Sequence, residues 1–234
     1  MFAVFKRDLR AFYTTPIGYA FSGVVILIMN LCFYYMNVET GSSNVKGIFY
    51  WLLLGLAFLA PIITMRLLSE EKKLKTDQLL YTVPLRIVDI VLGKYFAALC
   101  VFLISLVGTF LIPVILSVCS VAEYWSIIGN YVAIIFAASA FIAIGLFVSS
   151  TTENQLVSAL VSWAILIGLW LVDTVVAEVE VKAVSVVVNW VSIFARYESF
   201  TYGLFDLSDI LYYFSIAAVF LFLTVRMMDK RRYA

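Results

Sequence analysis

Ile-Ile-Gly-Asn-Tyr-Val-Ala-Ile-Ile-Phe-Ala-Ala-Ser-Ala-Phe-Ile-Ala-Ile-Gly-Leu-Phe-Val-Ser, residues Ile127 to Ser149, contains no Asp, Glu, Lys or Arg. A helix needs roughly 20 apolar residues to cross about 30 Å of hydrocarbon, and this stretch is long enough. Five more of the same kind flank it: about Ile17–Met36, Gly47–Met65, Lys94–Ser117, Gln155–Val176 and Ile210–Met228. The whole chain agrees with that count. Of its 234 residues, 64% are apolar and 13% charged, against about 45–50% and about 25% in soluble domains. A soluble domain of this size would leave much of that apolar surface facing water. The expected fold is an all-α membrane protein with six transmembrane helices.

Lys and Arg set the expected orientation. Lys6, Arg7 and Arg10 precede the first span. Arg66, Lys72, Lys73, Lys75, Arg86 and Lys94 lie between the second and third. Arg226, Lys230, Arg231 and Arg232 close the chain. With both termini in the cytoplasm, thirteen of the sixteen basic residues are inside, leaving Lys46, Lys182 and Arg196 outside. The acids Glu39, Glu123, Asp173, Glu178, Glu180, Glu198, Asp206 and Asp209 then fall mostly on the outer side.

Residues 1–15 are not expected to be a cleaved signal peptide, since the apolar run after them is too long and more spans come later. Phe2, Phe5, Leu9 and Phe12 recur at helical spacing opposite Lys6, Arg7 and Arg10. This suits an amphipathic helix in the cytoplasmic interface, ended by Pro16. A merely basic leader is the plainer alternative. Residues 69–88 form the one sizeable cytoplasmic stretch. There Thr76 is a plausible helix N-cap, Asp77 sits at the positive end of the dipole, Leu79, Leu80 and Val83 make a short apolar side, and Pro84 stops the helix. Such a segment suits docking into a groove on a partner, and equally a solvated loop helix.

Ser149 to Gln155 reads as a hairpin turn between spans four and five. Residues 177–209 are too apolar for a solvated loop and too short for two spans, so outer re-entrant or interfacial helices are expected. Asp206-Leu-Ser-Asp209 resembles a cap for the last span. Small residues one turn apart, Ala133 with Ala137, Ser139 with Ala143 and Gly18 with Ser22, favour close helix packing. Trp51, Trp163 and Trp170 fit interface anchors better than a substrate path.

Chemistry is limited by what the chain lacks. There is no histidine, which removes Ser-His and Cys-His nucleophile pairs and His-dependent metal sites. Cys32, Cys100 and Cys119 sit in or at the end of apolar runs and look like small core residues. No span carries a central acid or base, which argues against proton or sodium coupling; Arg66 and Lys94 are read as snorkelling to the interface. No G-x-x-x-x-G-K-[ST] motif occurs, so ATP cannot bind by that route. No catalytic, cofactor or metal site and no nucleic-acid contact is expected.

Three stretches carry a likeness to a known family. Met65-Arg66 through Pro84 is similar to an acidic-basic run, a Gly-Thr, an acid, a Leu pair and Thr-x-Pro, followed by Val91-Leu-Gly93-Lys94 at the start of the third span. Gly145 through Gln155 is similar to a turn between spans four and five. The third comprises Phe200, Gly203, Asp206, Leu207 and Asp209, then Leu-Phe-Leu-Thr-Val-Arg226. Over essentially its whole length the chain resembles type-2 permeases of ABC transporters, and within them the gliding-motility-type permease subunit.

The resemblance implies a single permease domain over residues 1–234 in a bacterial cytoplasmic membrane. It would comprise an interfacial helix over 1–15, a cytoplasmic coupling helix within 69–88, and outer re-entrant helices within 177–209. It implies an ATP-driven exporter whose ATP and Mg are bound by a separate ATP-binding subunit. A second permease copy or a related permease is expected, with an outer-surface accessory subunit as a further partner. The coupling interface would use Leu79, Leu80, Val83 and Pro84 as its apolar surface. Glu70, Glu71, Lys72, Asp77 and Arg86 would form its charged rim, with Thr76, Gln78 and Thr82 between. Two positions depart from the family: Lys75 replaces the usual Gly and Gln78 the usual acid. A turn relying on Gly is expected to be rebuilt, and one charged contact to the ATPase to be missing. A non-transporting membrane anchor or scaffold of an extracellular assembly is the rival reading; a secondary transporter or channel is another.

Overall fold

The computed structural model describes residues 1–41, 45–76, 86–119, 124–178, 192–194, 196–201 and 206–232. Its helices, numbered over these residues, are α1 (Phe2–Thr14), α2 (Pro16–Phe33), α3 (Lys46–Lys73), α4 (Ile87–Val107), α5 (Leu111–Cys119), α6 (Tyr124–Thr151), α7 (Gln155–Glu178), α8 (Tyr197–Thr201) and α9 (Leu207–Arg232). A π turn, Tyr34–Val38, extends α2, and a 3₁₀ turn, Gly108–Phe110, joins α4 to α5. Six stretches are long and apolar enough to cross a membrane: Pro16–Val38, Lys46–Lys73, Ile87–Leu116, Tyr124–Thr151, Gln155–Val175 and Leu207–Arg231. The chain is an all-α, multi-pass membrane protein.

The spans lie where hydropathy puts them, but two run further than expected. α3 continues two turns beyond Met65, and α4 begins two turns before Lys94. In both places charged side chains find partners, so the helix need not stop where the apolar run does. Arg66 reaches Glu70 one turn on, with Nε 2.7 Å from Oε2. Thr15, extended at φ −98° and ψ 155°, breaks the chain between α1 and α2, with Pro16 at the start of α2.

α6 and α3 form the centre. Within the apolar window of each, 72% and 61% of residues are buried, against 22% or less in the first, fifth and last spans. α6 packs between α3 and α9, α7 packs on α3, and α1 lies along α4. Ala133, Ala137 and Ala143 are fully buried on α6. In lipid, apolar surface gains little by moving from acyl chain to protein, so close packing and hydrogen bonds must hold such a bundle. Trp163 on α7 donates its indole N–H to the Phe58 carbonyl at 2.8 Å, near Pro61 within α3, and Trp170 donates to the Tyr50 hydroxyl at 3.3 Å. These two tryptophans thus tie α7 to α3, a role that composition does not reveal.

The α3–α6 seam is polar at one end. The sequence makes Ser149 the last residue of the fourth span and the first of the hairpin turn, and gives it no packing role. It lies instead inside α6, which runs on to Thr151, and is fully buried against α3. Its hydroxyl stands 2.9 Å from that of Ser69 and accepts the Ser69 backbone N–H at 3.0 Å. One turn toward the middle, Gly145 faces Thr64, and any Cβ there would collide with the Thr64 hydroxyl. The turn proper is only residues 152–154, where the Asn154 side chain caps α7 through the Leu156 N–H at 3.0 Å.

Gly145→Ala is therefore expected to lower stability by about 1–3 kcal/mol, the usual cost of overpacking. Thermal unfolding in detergent measures it, and Thr64→Ala in the same chain should recover part of the loss. Unchanged unfolding in Gly145→Ala would contradict this seam.

Candidate functional site

The bundle has a basic end, where α1, the C-terminus of α3, the N-terminus of α4 and the C-terminus of α9 meet. α1 is amphipathic, but its buried line is Val4, Asp8 and Phe12, with Phe5 and Leu9 half-buried. Phe2, expected on the apolar face, is 72% exposed. The face is rotated so that an acid points inward. Gly93 allows this: a Cβ there would sit 3.0 Å from Val4 Cβ and 3.1 Å from the Met1 carbonyl oxygen, so α1 can lie directly on α4.

That approach closes a four-membered ring of charges. Lys94 Nζ lies 3.1 Å from Asp8 Oδ2 and 2.8 Å from Glu71 Oε1. Arg7 completes it, with Nε 2.7 Å from Asp8 Oδ1 and Nη2 2.6 Å from Glu71 Oε1. The Lys94 side chain is 2% exposed, those of Asp8 and Glu71 10% and 17%. Burial alone lowers the Arg7 pKa, but hydrogen bonds and charge from Asp8 and Glu71 outweigh it and hold the guanidinium above its ordinary value. Hydropathy makes Lys94 a snorkelling residue; the structure makes it the buried hub of three helices. The ring is balanced, two cations against two anions, as burial demands.

Glu71 and Lys94 bracket the segment of residues 77–85. Asp77, Gln78, Leu79, Leu80, Thr82, Val83 and Pro84, seven of the expected interface residues, lie outside the described residues. Of the other five, Glu70 pairs with Arg66, Glu71 joins the ring, and Lys72 is buried with its ammonium donating to the Ser150 carbonyl. Arg86 is exposed and immediately precedes α4. Thr76 lies just beyond α3 and donates its N–H to the Glu71 carbonyl at 2.9 Å, while Lys75 donates to the Lys72 carbonyl at 3.0 Å. This is a Schellman ending with Lys75 in the left-handed position at φ 56°. The turn is not rebuilt for want of its glycine. It keeps the glycine conformation with a lysine in it.

The other end of the bundle is held by neutral and paired groups. Tyr197 on α8 is buried and donates to the Asn130 side-chain oxygen at 3.0 Å; burial raises its phenol pKa well above the ordinary value. Ser126 donates to the Thr201 carbonyl at 2.9 Å, and Tyr213 to the Ile193 carbonyl at 2.6 Å. Asp206 caps α9 through the Ser208 N–H at 2.9 Å, as its spacing suggests. Asp209, the other half of that signal, pairs with Arg196 at 3.0 Å. Residues 179–191, 195 and 202–205, more than half of the expected re-entrant region, lie outside the described residues.

The description "ABC-2 family transporter protein" matches residues 3–228, nearly the whole chain. The chain belongs to the ABC-2 transporter family. No curated protein matches it. Membership makes it a membrane transport component, a permease of the ABC type.

In this ABC-2 protein the residues that sequence reasoning missed are Asp8 and the partnership of Glu71 with Lys94. A signal for the first existed: Asp8 stands on the i, i+4, i+8 line with Val4 and Phe12, an acid inside an apolar stripe. The second pairing spans the segment between two helices and has no local signature.

Lys94→Met leaves two buried acids facing one arginine, and should cost about 3–5 kcal/mol of stability. Adding Asp8→Asn restores the balance and should recover at least about 1 kcal/mol in a double-mutant cycle. Lys75→Gly removes left-handed strain and should raise stability by about 1 kcal/mol. Denaturation of the purified chain reads all three; additive losses in the cycle would show that Asp8 and Lys94 do not interact energetically.

Proposed function

We propose that this chain is the membrane-spanning permease subunit of an ATP-driven exporter, of the gliding-motility type, coupled to a separate ATP-binding subunit that holds ATP and Mg. It sits in the bacterial cytoplasmic membrane with both termini inside. Two such permease halves, from a second copy or a related permease, form the path. The ATPase docks on residues 77–85, with Leu79, Leu80, Val83 and Pro84 as the apolar contact and Asp77 and Arg86 at its rim.

The observation that carries this reading is the charge ring. It binds the helix leading into the segment, through Glu71, to the helix leading out, through Lys94, and both to α1 through Arg7 and Asp8. Glu70, Glu71 and Lys72 are engaged within the chain, so in this proposal they act as the segment's root rather than as its docking face. A displacement of the segment would then move α3 and α4 together. Coupling that relied on a loose loop would dissipate the same displacement before it reached the spans.

The test is purification of the chain from its native host with an ATPase assay of the proteins that accompany it. A P-loop ATPase should co-purify with the wild type and be lost when Leu79 and Leu80 are both replaced by Asp. A chain that emerges alone, or with outer-surface proteins only, would contradict the proposal.

A further inference from the structure

α2 packs on α3 and α4, and Phe21, Val25 and Met29 on its inner side are buried. On the opposite side Ala20, Gly23, Leu27, Asn30 and Tyr34 are exposed. Their spacing alternates between three and four residues, the repeat of a seam between two helices. A Cβ on Gly23 would meet nothing within 4 Å, so no neighbour within the chain explains a glycine in mid-helix.

Asn30 is the member of this stripe that lipid cannot satisfy. It is the fifteenth of the 23 residues of the span Pro16–Val38, three past the middle. At about 1.5 Å per residue, that is about 4–5 Å from the centre of a layer about 30 Å thick. An asparagine side chain is too short to reach the headgroups from there. Its amide offers two N–H groups and one oxygen. One N–H goes to the Ile26 carbonyl at 2.8 Å; among the described residues the other N–H and Oδ1 have no partner. Ser215 on α9 makes the contrast. It too is exposed away from the span ends, but it spends its single hydrogen on the Leu211 carbonyl at 2.6 Å. An open amide in hydrocarbon is costly, and a partner that fills it removes the cost.

We infer that this face of α2 is a contact with a second copy of the chain, with Asn30 paired to Asn30 of that copy at its polar centre. Two copies inserted in one orientation are related by a two-fold axis along the membrane normal. Their α2 helices then run parallel, and residues beside the axis meet their own counterparts at the same depth. Each amide donates its free N–H to the oxygen of the other, so both open groups are filled on each side. A lipid tail offers neither group, and an unrelated helix would need a polar residue at this one depth. Ala20 and Gly23 let the two backbones come close enough for such short side chains to meet. The inference rests on the proposed pairing of permease halves and deepens it, since it names the surface and makes the second half a copy.

The full-length chain, cysteine-free except for Leu27→Cys on this seam, is oxidised in membranes of its native host, where partner subunits are present. A covalent dimer of the chain should form. Gly168→Cys, an open position on α7, is treated in the same way. Affinity is read separately, by energy transfer between labelled copies in vesicles as lipid is added. Asn30→Leu should weaken pairing about tenfold, Asn30→Gln should keep most of it, and Gly23→Leu should weaken it as well. Both leucines would face outward, so the unfolding of the single chain should not change. Leu27→Cys linked to a different protein, or a dimer formed through Gly168→Cys and not through Leu27→Cys, would overturn this surface and leave the paired halves standing. No cross-link at either position would overturn both. Pairing untouched by Asn30→Leu would overturn the role of the amide.

Discussion

A lysine ammonium in a low-dielectric interior must be paired, and at Lys94 that requirement organises one end of the molecule. A single ammonium can reach two carboxylates only if the helices that carry them converge. Asp8 comes from α1 and Glu71 from α3, so satisfying Lys94 on α4 sets the relative position of all three. Buried ion pairs add little net stability compared with apolar packing, yet they tolerate few alternative arrangements. In a bilayer, where apolar side chains are nearly as content against lipid as against protein, that intolerance is worth more than the energy itself.

The second constraint is close approach between α3 and α6. Thr64 against Gly145, Ser69 against Ser149 and Lys72 against Ser150 form a ladder along one seam. It runs toward the same end of the bundle as the charge ring, and Glu71 and Lys72 are neighbours on α3, one serving each. The last turns of α3 are thereby held on two sides, by α1 and α4 through Glu71 and by α6 through Lys72. From there the chain passes directly into the segment proposed to receive the ATPase. In the proposed role, that segment would be mounted on a helix end held by three neighbouring helices.

How much of this was legible depends on the physics of each part. The spans were legible because the bilayer imposes one length and one chemistry on every stretch that crosses it. The break at Pro16 and the cap at Asp206 were legible because each depends on its immediate neighbours. The role of Asp8 was only half visible: its stripe is in the sequence, but the larger Phe2 draws the apolar face away from the smaller Val4. Gly145 against Thr64, Ser149 against Ser69 and Glu71 against Lys94 were not legible at all. Each joins residues far apart in the chain, and nothing local distinguishes a serine in a turn from one locked into a neighbouring helix. Lys75 shows the converse: the missing glycine was visible, but the Schellman hydrogen bonds that keep its conformation were not.

A buried charge ring that joins α1, α3 and α4 makes them one mechanical body. This coupling is tested most directly by the distance between spin labels at Lys6 on α1 and Lys73 at the end of α3, both exposed, in a cysteine-free background. Double electron–electron resonance should give one narrow distribution that stays in place when ATPase and nucleotide are added, and that broadens in Lys94→Met. A broad or two-peaked distribution in the otherwise native chain, or one that Lys94→Met leaves untouched, would contradict the account.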